Sequence, residues 1–190
     1  MDSFDLPPEY HKTIGVLVTQ ISRLERVIII CIKYCCSIST QDEVASLVGS
    51  DQLDALCKKF EKLVGTNLKD EAGLLAQFQS FRGQLFSIND ERNTYVHSFW
   101  QIPPLSILAS DPYVEQRKYF RVFNQTKGLE DVKPASLADM NKLISKILDT
   151  ISKLTDFVFG NIDAIRAAVE RRKTEFDKLY TLLPEPPEST

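Results

Sequence analysis

The chain has 190 residues, of which 43% are hydrophobic and 26% charged, and its formal net charge is -3. This composition is typical of a globular protein, and we expect one domain over residues 1–183 followed by a disordered tail at 184–190. The acidic balance argues against a broad basic surface that binds duplex nucleic acid through many phosphates, although a small phosphate site stays possible.

The chain has four cysteines, Cys31, Cys35, Cys36 and Cys57. They have no CxxC spacing, and three of them lie in an apolar run, so buried reduced thiols are favoured over a metal or redox site. Reduced thiols suit a cytoplasmic protein. The most apolar segment, Val27–Ile38, is shorter than the about 20 residues of a membrane span, and Lys33 interrupts it. Acidic residues precede any apolar run, so no signal peptide is expected. The sequence therefore predicts a cytoplasmic protein without membrane contact, metal or cofactor.

The hydrophobic spacing predicts four helices in the first part of the chain, at about 9–37, 40–48, 51–64 and 71–99. Thr40, with Glu43 three residues later, forms a capping-box pattern at the start of the second helix, and Gly49–Ser50 ends it. The stretch "GTNLKDEAG", residues 65–73, reads as a loop. The fourth helix ends before Pro103–Pro104, because proline removes a donor and clashes with the preceding turn.

Residues 101–135 differ from the helical segments in composition and pattern. They hold four of the nine prolines and include "KYFRVFNQTKGLEDVK". Its alternation around Lys127–Gly128 predicts a small β-hairpin inserted between helices. Ser136 then caps a new helix, with Asp139 at the capping-box position. This long last helix is predicted to extend toward Leu183 with apolar residues close to a 3.5-residue repeat, and Gly160 is the place where it bends or ends. The predicted fold is an all-α, up-and-down helical bundle with a long C-terminal helix and a β-hairpin insertion.

The stretch "ERNTYVHSFW", residues 91–100, holds one of the two histidines and the only tryptophan. The chain has no Gly-rich phosphate loop, HExxH, CxxC or GxSxG motif. Because it has only two histidines, a histidine-dependent mechanism must use His97 or His11. His11 lies in the first turn of the first helix and is expected to be exposed. On one helix, Arg92 and His97 are about 140° apart, whereas Asn93 and His97 share a face. An Arg–His site is therefore easier to close between two copies of this helix that face each other.

The segment "RNTYVH" resembles the Arg-polar-x3-His motif of the HEPN superfamily (higher eukaryotes and prokaryotes nucleotide-binding domains), in which the residue after Arg is commonly Asn, Asp or His. The helical context before and after the motif is similar too, over residues 9–100 and 136–183. The chain departs from some HEPN toxins at Phe99, where they carry a tyrosine that can be modified. Control by modification at that position is therefore not expected.

The resemblance implies a metal-independent endoribonuclease that cleaves single-stranded RNA as a homodimer with a composite active site. Arg92, Asn93 and His97 are the implied catalytic residues, acting in 2′-hydroxyl attack on the adjacent phosphate. It also suggests a toxin–antitoxin or phage-defence role with an antitoxin or defence-system partner. Arg117, Lys118 and Arg121 interleave with aromatic residues and are candidates for substrate binding.

Two other functions fit the same sequence. The first is a non-catalytic HEPN-type module that binds RNA, nucleotide or a protein partner. The second is a structural helical interaction protein, for which the long last helix is the main support. In either case Arg92 is a solvated charge pairing with Asp90, Glu91 or another neighbour, and His97 is a residue favoured by the dipole at the helix C-terminus. Phe99 and Trp100 are then packing residues.

Overall fold

The computed structural model describes residues 7–38, 40–96 and 136–181. They are all-helical, and no strand occurs in these three ranges. These ranges contain six helices: α1 Pro8–Cys35, α2 Gln41–Val48, α3 Leu53–Asn67, α4 Ala72–Val96, α5 Leu137–Phe159 and α6 Ile162–Thr181. The all-α prediction is thus confirmed, while the β-hairpin predicted within 101–135, the end of the fourth predicted helix and the C-terminal tail lie outside the described residues.

Both predicted N-cap residues, Thr40 and Ser136, accept a hydrogen bond from the N–H three residues on, and α2 has the full capping box. At α2, the Thr40 hydroxyl accepts a hydrogen bond from the Glu43 N–H at 3.3 Å, and the Glu43 carboxylate accepts one from the Thr40 N–H. At α5, the Ser136 hydroxyl accepts from the Asp139 N–H at 3.1 Å and donates to the Asp139 carboxylate at 2.8 Å. These bonds satisfy N–H groups that have no partner within their own helix.

The end of α3 corrects one prediction. Residues 65–67 were expected in a loop, but the helix continues through them to Asn67. Val64 and Leu68 are both fully buried, and the Leu68 N–H donates to the Val64 carbonyl at 3.0 Å. Because these two residues are four apart on one apolar face, their burial favours another helical turn despite Gly65.

The C-terminal part of the described chain is two helices rather than one, because α5 ends at Phe159 and α6 begins at Ile162. The break is at Gly160, one of the two outcomes predicted there. A Cβ at Gly160 would lie 2.5 Å from the Asp156 carbonyl oxygen, too close for any other residue without a backbone shift. Asn161 stabilises the junction, since its Nδ2 donates to the Phe157 carbonyl at 2.8 Å and to Gln77 Oε1 at 3.0 Å.

The end of α1 is a Schellman motif. The Ile38 N–H donates to the Lys33 carbonyl at 3.1 Å and the Ser37 N–H to the Tyr34 carbonyl at 3.3 Å. Ser37 has a φ of +50°, in the left-handed region where glycine is the usual residue. The chain therefore ends its longest described helix without a glycine, at a cost in backbone strain.

The described residues fall into two compact units. The first unit comprises the residues up to Glu25 and Gly83–Ser152, and the second comprises Arg26–Arg82 and the residues from Lys153 onward. The first unit is built from the N-terminal parts of α1 and α5 and the C-terminal part of α4. Its buried residues include Leu17, Ile21, Leu24, Leu85, Ile88, Leu143 and Ile147. The single domain over residues 1–183 stays a prediction.

The second unit is centred on four phenylalanines, Phe60, Phe78, Phe81 and Phe157, each buried to 2% exposure or less. Phe78 contacts the other three with ring centroids 5.5 to 6.2 Å apart. Edge-to-face geometry dominates, which is the favoured arrangement of aromatic rings.

The burial predicted for the cysteines is found for three of the four. All four are free, with Cys31, Cys35 and Cys57 buried and Cys36 half-buried. None of the helices in the described ranges has both the length and the apolar character needed to cross a bilayer.

Candidate functional site

The last two turns of α4 carry the part of the Arg-polar-x3-His motif that the structure describes. Glu91, Arg92, Asn93 and Tyr95 lie on this helix, which extends through Val96. His97 is the next residue and lies outside the described residues, as do Phe99 and Trp100. The divergence of Arg92 and His97 on one helix therefore stays a prediction from helical geometry.

The Arg92 guanidinium is half-buried, and its Nη1 donates to the Asn93 amide oxygen at 3.2 Å. Its Nε is inaccessible to solvent and has no hydrogen-bond partner among the described residues. Leaving a buried donor without a partner costs about 1–3 kcal/mol, so such donors are uncommon in folded proteins.

The carboxylate that precedes Arg92 does not pair with it. Glu91 Oε1 instead accepts from Lys146 Nζ on α5 at 2.5 Å. Arg92 takes part in none of the ion pairs that the structure shows within the described ranges. The alternative in which Arg92 is a surface charge paired with Glu91 is therefore not what the structure shows.

A second polar contact joins α4 to α5 about two turns before the motif. Gln84 Nε2 donates to Asp149 Oδ2 at 2.7 Å and to the Lys146 carbonyl at 3.4 Å. Together with Glu91–Lys146, this contact fixes the rotation of α4 about its own axis relative to α5 in the first unit. That rotation decides the direction in which Arg92 and Asn93 point.

Tyr95 packs against a small cluster formed by Tyr10 and Met140, together with Ile14 and Leu137. Burial raises the pKa of the Tyr95 hydroxyl above its ordinary value, and the nearby carboxylates of Asp139 and Glu91 raise it further. Tyr95 is therefore a neutral phenol at neutral pH and does not serve as a general base. Its ring anchors the last turn of α4 within the first unit.

The other predicted site residues have simpler outcomes. His11 is exposed on α1, as expected. Arg117, Lys118 and Arg121 lie outside the described residues. Within residues 7–38, 40–96 and 136–181, no three His, Cys, Asp or Glu side chains come together in a way that could hold a metal ion. The absence of a metal or cofactor stays a prediction.

The sequence analysis missed the residues that support the motif. Lys146 is 55 positions from Glu91, and Gln84 is 65 positions from Asp149. With 23 basic residues in the chain, no local pattern singles out Lys146. Tyr10 gave a signal only as an apolar position near the start of α1.

Comparison with known proteins gives no relatives: no protein-family model, curated protein or solved structure matches the chain.

Proposed function

We propose that the protein is a metal-independent endoribonuclease of the HEPN type, which cleaves single-stranded RNA in a cleft formed by two copies of the chain. The observation that carries the proposal is the state of Arg92. Its guanidinium has a buried Nε–H without a partner and no ion pair among the described residues, and it donates a hydrogen bond to Asn93. The motif "RNTYVH" supplies the other part of the support, since it places a histidine five residues beyond this arginine.

In the proposed reaction, His97 removes the proton of a ribose 2′-hydroxyl, because imidazole is the side chain that both accepts and returns protons near neutral pH. The 2′-oxygen attacks the adjacent phosphorus, and the bond from phosphorus to the 5′-oxygen breaks. A protonated imidazole returns a proton to the departing 5′-oxygen. The products are a 2′,3′-cyclic phosphate and a 5′-hydroxyl. No step needs a redox partner or a metal.

Arg92 stabilises the phosphorane. The guanidinium is always charged and presents several donors in one plane, which suits the crowded, doubly negative phosphate oxygens of the transition state. An Nε–H and an Nη2 that no described acceptor occupies are two donors on one edge of that plane. This edge is the part of a guanidinium that binds an oxyanion through two parallel hydrogen bonds, so the proposal requires the groups that cover the Nε in this structure to move aside when RNA binds.

Asn93 is placed to orient the His97 ring of its own chain, which in a composite site acts together with Arg92 of the other copy. A guanidinium has no acceptor, so the Asn93 amide oxygen, not its nitrogen, must face Arg92. That oxygen has a second lone pair, and Asn93 shares a helix face with His97. An N–H of the His97 ring that donates to this oxygen leaves the other ring nitrogen unprotonated. Asn93 would thus hold His97 in the tautomer that a general base requires.

The same proposal assigns the partners. A second copy of the chain completes the site, the substrate is single-stranded RNA, and the setting is a cytoplasmic toxin–antitoxin or phage-defence system with an antitoxin or defence partner. The support for this setting is the HEPN-like motif alone.

The direct test is cleavage of a single-stranded RNA in the presence of EDTA. We expect wild type to give 2′,3′-cyclic phosphate ends. His97→Ala should reduce the rate by about 10²–10⁴, the usual contribution of a general base. Arg92→Ala should reduce it by about 10²–10³, the usual cost of removing one donor to a developing oxyanion.

Matched controls are available within the first unit. His11→Ala removes the other histidine, which is exposed, and Arg23→Ala removes an exposed arginine. Both should cleave at the wild-type rate. If RNA survives equally with wild type and all variants at micromolar concentration, the nuclease proposal fails. RNA binding without cleavage would then favour the non-catalytic HEPN-type module.

The composite cleft has its own test. Co-refolding equal amounts of Arg92→Ala and His97→Ala should restore about a quarter of the wild-type activity, because half of the dimers are mixed and one of their two sites is intact. This holds if each site takes Arg92 from one copy and His97 from the other. A wild-type chain that is active as a monomer would contradict the composite site.

A further inference from the structure

The second unit contains two adjoining depressions of about 520 Å³ and 450 Å³. Each lies within the range of roughly 300–1,000 Å³ that is usual for ligand sites. They share Ser37 and lie where the C-terminal ends of α1 and α3 meet α6. We call the pair the α1–α6 groove.

The α1–α6 groove is basic, although the whole chain is acidic. Four cationic side chains line it, Lys33, Arg166, Arg172 and Lys173, together with two carboxylates, Glu170 and Glu175. The local balance is thus positive, whereas the net charge of the chain is -3. A concave surface of one sign concentrates the oppositely charged ligand.

The cationic side chains of the groove differ in whether they contact another side chain of the protein. Arg172 Nη1 bonds to Glu175 at 2.7 Å, and the Arg166 guanidinium lies 5.9 Å from the centre of the Tyr34 ring. Lys33 and Lys173 have no ion-pair partner in the described part of the chain. These two ammonium groups are the ones available to a ligand.

Neutralising the C-terminus of α1 does not account for these cations. Each of its last four carbonyls already accepts a hydrogen bond from the protein. The Cys36 N–H donates to the carbonyl of residue 32, and the Ile38 N–H donates to that of residue 33. The Ser37 N–H donates to the carbonyl of residue 34, and the Asn67 side-chain amide donates to that of residue 35. Lys173 lies in the interior of α6, which ends at Thr181, so the dipole of its own helix does not explain it either.

We propose that the α1–α6 groove binds the phosphodiester backbone of single-stranded RNA. Lys33 and Lys173 contact phosphates, and the Arg166–Tyr34 pair offers a planar guanidinium on which a base stacks. The Ser37 and Thr66 hydroxyls that line the groove add neutral donors. The choice of RNA among phosphate-bearing polymers rests on the proposed nuclease function; the phosphate chemistry rests on the groove itself.

The test measures binding in the full-length chain carrying His97→Ala, which separates binding from cleavage. The probe is a fluorescein-labelled single-stranded oligouridine, followed by anisotropy as salt is raised. Adding Lys33→Gln and Lys173→Gln should lower the slope of log K against log salt by about 1.4, since each phosphate contact on a single strand contributes about 0.7. At 0.05 M salt this corresponds to roughly 60-fold weaker binding.

The matched control adds Lys62→Gln and Lys69→Gln, two exposed lysines of the second unit that do not line the groove. It should leave the slope within experimental error of the His97→Ala chain. Equal losses in the two pairs would overturn the groove as a site, because binding would then follow total charge. Unchanged binding after Lys33→Gln and Lys173→Gln, with far-UV circular dichroism intact, would overturn it as well.

Competition identifies the ligand class. Unlabelled oligouridine should displace the probe, whereas inorganic phosphate and polyglutamate of the same total charge should not. Displacement by polyglutamate as strong as by oligouridine would overturn the RNA assignment in favour of an acidic peptide. If wild type cleaves no RNA but Lys33 and Lys173 still determine binding, the nuclease proposal fails and the groove stands.

Discussion

Replacing Arg92 by methionine should stabilise the protein. The Arg92 Nε is buried without a partner among the described residues, and relieving an unsatisfied buried donor is worth about 1–3 kcal/mol. The variant also loses the 3.2 Å bond from Nη1 to Asn93, which is exposed and contributes about 0.5–1.5 kcal/mol. Methionine keeps most of the unbranched apolar length of the arginine side chain. The difference predicts a gain of about 1 kcal/mol in the free energy of unfolding.

The assay is urea unfolding followed by far-UV circular dichroism, with wild type and variant at the same concentration. The gain should raise the midpoint and leave the slope m unchanged. Asn93→Ala measures the second term alone, because it removes the acceptor of the Nη1 bond and leaves the Nε as it is. We expect Asn93→Ala to lower the free energy of unfolding by less than about 1.5 kcal/mol.

The reasoning is refuted if Arg92→Met lowers the free energy of unfolding by more than about 1 kcal/mol. That result would mean that the guanidinium has an acceptor in the folded protein and serves the fold. An intermediate result, near zero, would mean that the two terms cancel. Asn93→Ala would then give the free energy of the Nη1–Asn93 hydrogen bond, and the contribution of the unsatisfied Nε would be equal and opposite to it.

Three further predictions concern the fold. Phe78→Ala should cost about 3–5 kcal/mol in urea unfolding, because it removes a fully buried ring, whereas Phe159→Ala, at 49% exposure, should cost less than about 1 kcal/mol; similar costs would contradict the assigned core. Ser37→Gly should raise the free energy of unfolding by about 0.5–1 kcal/mol, since glycine adopts the φ of +50° without strain, and Ser37→Ala should not. Burial, with the neighbouring thiol of Cys36 as the smaller cause, raises the pKa of Cys35 to about 12 from an ordinary value of 9.0. Its thiol therefore stabilises the fold fully below pH 9, and this contribution is lost as the pH rises toward 12, so the free energy of unfolding of Cys35→Ala should fall less steeply over that range.

The starts of α2 and α5 were predictable because their determinants are local. Thr40 with Glu43, and Ser136 with Asp139, place each donor three residues from its acceptor, so the bond is readable in the sequence. The break at Gly160 was visible for a similar reason, although its cause, a close approach to the Asp156 carbonyl, was not. The predicted end of α3 was wrong because burial of Leu68 favoured another helical turn despite the loop-like composition. That burial depends on tertiary packing, which the local sequence does not show.

For the candidate site, the sequence predicted which residues take part but not the contacts that they make. A motif names Arg92 and Asn93, but a linear pattern does not show that Glu91 is paired with Lys146, 55 positions away. Nor does it show that the Arg92 Nε is buried with no partner in the described part of the chain, since this depends on which side chains surround it. The structure therefore adds that Arg92 has no ion pair and an unsatisfied Nε among the described residues.

The stability and the activity of Arg92→Met together separate the possible roles of this residue. An arginine kept for packing or for an ion pair loses stability on replacement, whereas one kept for a ligand gains stability and loses function. Gain of stability with RNA cleavage reduced by about 10²–10³ is the expected pair of results. If the variant gains stability and cleaves RNA at the wild-type rate, Arg92 does not act in cleavage. The main support of the proposed function would then be lost. Arg92→Lys completes the comparison, because it keeps the charge and loses the planar pair of donors, so cleavage restored to the wild-type rate by lysine would show that charge alone is sufficient.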